Sequence, residues 1–114
     1  RNHAYAVEGL IAAWRIADMR GDEKAATDLL YVLDRSLFKL SAWQIGGPLA
    51  KHNKYLAKYG KEDPMSKGGV MNAARRPKKP RPVKQDVAHQ LRIDVTQHQM
   101  HAVTMSLDHV YPKK

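Results

Sequence analysis

The sequence predicts an all-α fold, an antiparallel helical hairpin and a C-terminal helix joined by a long basic loop rich in proline and glycine. Three observations carry this expectation. Apolar residues recur at helical spacing over residues 3–20 and 23–45, a Gly-Asp pair punctuates the two runs, and strand-favouring residues are sparse outside a brief stretch at 91–95.

In the first run Val7, Leu10, Ile11, Trp14 and Ala17 make one stripe, and Glu8, Arg15 and Asp18 mostly lie off it. Gly21 is placed to end that helix in a left-handed conformation, and Asp22 to cap the next. In the second run Ala26, Leu29, Leu30, Leu33, Leu37 and Leu40 define the apolar face, and Gly46-Gly47-Pro48 ends it. So short a connection makes the pair an antiparallel hairpin. Residues 49–59 predict a shorter helix, with Leu49, Leu56 and Tyr59 near one side. Residues 60–91 read as loop, because their glycines and prolines interrupt any regular element. The last helix is expected over about 95–110. Asp94 with Gln97 would form its capping box, Met100, Val103, Leu107 and Val110 its buried stripe, and Pro112 its stop. Three regions follow: 1–59, 60–91 and 92–114.

The chain has 114 residues, enough for one small domain, and starts at Arg1, so a processed or excised segment is expected. It contains no cysteine, which excludes disulfides, thiolate metal sites and cysteine nucleophiles. No apolar run is long enough for a transmembrane helix, and no signal peptide is visible. No phosphate-binding loop, dinucleotide fingerprint or Gly-x-Ser-x-Gly elbow is present, and no cofactor is assigned. The net charge of +9 is uneven. Residues 60–92 carry nine Lys/Arg against three Asp/Glu, whereas residues 1–59 carry nine against six. Such a local cluster suits a polyanion.

The densest group of residues able to do chemistry near neutral pH is Asp94, His98 and His101. At i, i+4 and i+7 they share one helical face, which suits acid–base work, a polar ligand or a metal; no metal is assigned. Asp108 falls on the same stripe, with His109 beside it. Trp14, Trp43 and Gln44, with Gly46 and Gly47, form a second set able to stack on a sugar ring or base and to hydrogen-bond its hydroxyls, the glycines letting a ligand approach the backbone; the more ordinary reading is that Trp14 belongs to the core and Trp43 finishes the hairpin. Glu8 follows His3 and Tyr5 at the start of the first helix. A buried glutamate there can act as general acid or base, and the default for all three is frayed surface. Arg75, Arg76, Lys78, Lys79, Arg81 and Lys84 lie within ten residues interleaved with three prolines. That composition favours an extended cationic strand able to follow phosphates or acidic glycans, or a solvated linker.

The stretch Ala6-Val7-Glu8-Gly9-Leu10-Ile11-Ala12-Ala13-Trp14, the Gly21-Asp22 turn and residues 25–33 together resemble a repeat of an (α/α) toroid. Asp94-Val95-Thr96-Gln97-His98 resembles the start of another inner helix. Many such toroids are glycoside hydrolases, polysaccharide lyases or sugar epimerases. The resemblance therefore implies a pocket near Glu8, Trp14, Asp94, His98 and His101. It also implies more helices than this chain holds, hence a larger assembly or a homo-oligomer. The expected function is glycan processing or glycan binding, with an acidic polysaccharide as partner. The alternative is a small basic helical module that binds nucleic acid or a protein assembly through residues 75–84.

Overall fold

The computed structural model describes residues 2–52, 56, 64–70 and 93–112. Three helices form among them: α1 (Asn2–Met19), α2 (Glu23–Ala42) and α3 (Ile93–Met105), the last prolonged by a π-helical turn at Ser106–Val110. Helices α1 and α2 pack on each other, and α3 packs on α1. The fold is all-α, as the periodicity predicts. Among the described residues no helix is long and apolar enough to cross a membrane.

The hairpin closes as its punctuation requires. The Gly21 N–H donates to Asp18 O and the Asp22 N–H to Ala17 O, both at 3.0 Å, which satisfies the last carbonyls of α1. This wrap needs a left-handed residue, and Gly21 supplies it at φ +68°. The Asp22 carboxylate then accepts from the Ala25 N–H at 3.0 Å and caps α2. At the other end of the pair His3 meets Ser36, which fixes the antiparallel sense. The core joins Ala4, Val7 and Ile11 of α1, Leu33 and Leu40 of α2, and Ala102 of α3, with Leu10, Leu37, Met105 and Val110 packed on its edge.

Four expectations are corrected. First, α2 stops at Ala42, three residues before the predicted end, because the chain turns there to pair with a later segment. The Ile45 N–H donates to Gly69 O at 2.9 Å and the Gly68 N–H to Ile45 O at 2.8 Å. Second, the segment expected as a short helix opens with a 3-10 turn over Ala50–His52; Leu56 within it is helical, and residues 53–55 and 57–59 lie outside the described residues. Within the predicted loop, Pro64–Ser66 forms another such turn and Val70 is fully buried; residues 60–63 and 71–91, with the basic run 75–84, lie outside the described residues. Third, α3 begins at Ile93, so Asp94 lies in its first turn and is not its cap, and the strand-like run is helical from that residue.

The fourth correction concerns which face of α3 is inside. Val95, Gln99, Ala102 and Ser106 are buried, whereas Met100 is 65% and Leu107 53% exposed. Small side chains at Ala102 and Ser106 let α3 lie close against α1, and Gln99 reaches the end of α2. Its amide donates to Leu40 O at 3.3 Å, in the last turn of α2, where the Trp43 N–H also donates at 3.0 Å. Ser106 Oγ bonds back to Ala102 O at 2.7 Å, and the Tyr111 N–H closes the π-turn on Ser106 O at 2.8 Å. The turn delivers the Tyr111 hydroxyl to the Asp34 carboxylate on α2.

Two stability predictions follow from this packing. Ala102→Leu overpacks the α1–α3 contact and should cost about 1–3 kcal/mol in urea denaturation, whereas Met100→Ser should stay within about 0.5 kcal/mol of wild type. Equal effects would mean that the face is misassigned. Asp22→Ala removes the α2 cap and should lower stability by about 1 kcal/mol.

Candidate functional site

The side chains on α1 and α3 that face each other build one polar cluster. Glu8 lies one position past Val7 and so stands at the edge of the buried stripe of α1. His98 and His101 each lie one position before a buried residue, Gln99 and Ala102. Burying that face of α3 therefore carries both imidazoles to Glu8. A single carboxylate oxygen, Oε1, accepts from His98 Nδ1 at 2.8 Å and from His101 Nδ1 at 3.0 Å. The Tyr5 ring lies against His98 with centroids 3.8 Å apart. Glu8 and His98 are sheltered, at 21% and 26% side-chain exposure, and His101 stands further out at 61%.

Carboxylate oxygens only accept, so each Nδ1 must carry its proton, and in the neutral rings each Nε2 is then a base. Burial pushes the Glu8 carboxyl upward, but the hydrogen bonds from His98 and His101, reinforced by their charge, outweigh it and hold the group below its ordinary value. Among the described residues no group of three or more His, Asp or Glu is placed to hold a metal.

The other candidate residues are dispersed. The carboxylate that accepts from both imidazoles is Glu8, some 90 positions away in sequence; Asp94 lies in the first turn of α3. Trp14 lines a shallow hollow of about 340 Å³ beside the hairpin turn, together with Asp18, Asp22 and Glu23. Trp43 closes the opposite end of α2 and packs on Ile45, Ala50 and Leu56. The two indoles therefore do not make one stacking surface. Gln44 ties the 64–70 segment to α2 by donating to Gly68 O at 3.2 Å. The open face at Gly46 is taken up by this chain rather than left for a ligand, since a Cβ there would stand 3.1 Å from Lys67 Cγ. Asp108 and His109 are exposed on the π-turn. Arg75, Arg76, Lys78, Lys79 and Arg81 lie outside the described residues.

His3 departs from the frayed surface expected of it. Its Nε2 donates to Ser36 O at 3.3 Å and its ring lies 6.1 Å from Trp43; burial lowers its pKa, against the pull of that hydrogen bond. Residues that position the site were missed in the sequence. The Val70 N–H donates to Thr96 Oγ1 at 3.1 Å, which ties the 64–70 segment to the start of α3. Gln99 pins the same helix to α2. A polar residue on an otherwise apolar helical face was the available signal for Gln99. No protein-family model, curated protein or solved structure matches this chain.

Because the folded pKa of Glu8 lies below the ordinary 4.5, its ionised form favours the folded state at neutral pH, and that contribution is lost as pH falls from about 4.5 through the depressed value. Glu8→Gln should therefore be less stable than wild type near neutrality by about 1 kcal/mol, a modest figure because the pair is partly solvated. The two proteins should converge in acid. Urea denaturation across that range tests the sign; a gap that widens in acid contradicts it.

Proposed function

We propose that this chain binds and processes an acidic glycan, with Glu8, His98 and His101 as its polar centre. The observation that carries the reading is one carboxylate oxygen holding two imidazoles by Nδ1, which orients both rings and frees both Nε2 atoms for a substrate hydroxyl or proton. Glu8 is the orienting group. It fixes the tautomer and stabilises an imidazolium formed when Nε2 takes a proton. His98, sheltered by Tyr5, is the acid–base group, and His101, more exposed, is a hydrogen-bonding group at the rim. The resemblance of the hairpin to an (α/α) toroid supports a carbohydrate substrate, and the +9 net charge supports an acidic one. Exposed Ile16 and Met19 support membership of a larger helical assembly, whether with further helices or with further copies of this chain.

The test is intrinsic tryptophan fluorescence and calorimetry during titration with an oligouronate and with a neutral oligosaccharide of the same length. The oligouronate should bind, and His98→Gln should weaken it at least tenfold without loss of helicity. No response to any glycan would overturn the reading. Binding to duplex DNA that weakens steeply with salt and is lost on replacing Arg75, Arg76, Lys78, Lys79 and Arg81 would move the conclusion to nucleic acid.

A further inference from the structure

A second surface combines cations with exposed aromatic rings. On the outward side of α2 an open groove of about 750 Å³ is lined by Tyr31, Asp34, Arg35, Phe38 and Lys39, with His3 of α1 at one edge. Tyr31 and Phe38 are largely exposed, and they stand seven residues apart, two turns along one face. Arg35 and Lys39 stand one turn apart between and beyond them. Both cations are already held near aromatic rings. The Arg35 guanidinium lies 5.5 Å from the Tyr31 ring centroid, with Nη1 3.4 Å from the hydroxyl, and Lys39 Nζ lies 5.3 Å from the Trp43 ring centroid. The one acidic residue of the groove, Asp34, accepts from Tyr111, so one of its oxygens is engaged inside the fold. The groove therefore offers two positioned cations, each beside an aromatic ring, and polar groups along its lining.

We infer that this groove binds a sugar bearing a carboxylate, its C–H face against Tyr31 and its carboxylate on Arg35 or Lys39. A packed helix is a poorer occupant, since it would strip water from Arg35 and Lys39 without supplying their charge. A neutral sugar would leave both cations without a partner. The inference rests on the acidic-glycan reading and assigns it a binding subsite distinct from the Glu8 cluster, whose residues do not line the groove.

Calorimetry with an oligouronate and a neutral oligosaccharide tests it on four proteins: wild type, the Arg35→Gln/Lys39→Gln double variant, Tyr31→Ala and His98→Gln. All substituted positions other than His98 are exposed on α2, and circular dichroism confirms folding. The double variant should bind the oligouronate at least tenfold more weakly and lose its preference over the neutral sugar, and Tyr31→Ala should weaken oligouronate binding as well. A double variant that binds like wild type, while His98→Gln is impaired, overturns the groove and leaves the glycan reading in place. A wild-type protein that binds no oligouronate overturns both. Trp43 provides a local readout in a Trp14→Phe background, because a carboxylate that draws Lys39 away from the indole should change its fluorescence; no change on saturation with the oligouronate counts against the groove.

Discussion

The face that α3 turns inward governs the rest of the molecule. Val95, Gln99, Ala102 and Ser106 fall at successive offsets of four, three and four, and all are buried. That stripe is small and partly polar, so it is favoured less by transfer from water than by the close approach it permits. Ala102 sits in the shared core with Ala4, Val7 and Ile11, where a larger side chain would hold the helices apart. Gln99 adds direction, because its amide finds the Leu40 carbonyl at the end of α2. A rotation of α3 by one residue, about 100°, would lose the Gln99 contact and carry both imidazoles away from Glu8. Core packing and polar cluster are therefore two consequences of one helical orientation.

The hairpin was legible in the sequence because its signals are local and agree with one another. Periodicity, a left-handed glycine and an aspartate cap all mark the same junction, and each acts within five residues of its partner. The C-terminal helix was legible in its existence and misread in its orientation. Met100, Val103, Leu107 and Val110 form a plausible apolar stripe, and size alone selects it. In the fold Val103 and Val110 are half-buried, while Met100 and Leu107 face outward. The competing stripe wins because it fits the surface of α1 and α2. That surface is a tertiary property, invisible to a periodicity judged on hydrophobicity one helix at a time.

The site divides in the same way. Glu8, His98 and His101 stood out as residue types, and the chemistry that singles them out is a property of each side chain. Their partnership is not, because it joins positions some 90 residues apart through the packing of two helices. Asp94 looked like the natural carboxylate for His98, since it stands one turn away on the same helix. The carboxylate bonded to both rings is Glu8, because α1 brings it across the interface. The positioning bonds from Val70 to Thr96 and from Gln44 to Gly68 had no local pattern to reveal them, for the same reason. Trp43 carried a signal for stacking that the fold spends on closing α2 against Ile45 and Leu56.

Sharing one carboxylate oxygen makes the two histidines unequal partners in any proton transfer. One acceptor oxygen serves both Nδ1 donors, so the two rings compete for it. Exposure separates their roles further. His101 is 61% exposed, and water weakens both its bond to Glu8 and the field it feels; His98, at 26% and covered on one side by Tyr5, keeps more of each. The sheltered ring therefore keeps the stronger bond to the carboxylate and the more fixed orientation. His101 then acts on the site mainly through its competition for Oε1. Removing it would concentrate the accepting capacity of that oxygen on His98, strengthening the bond that orients the base while taking away the polar group at the rim.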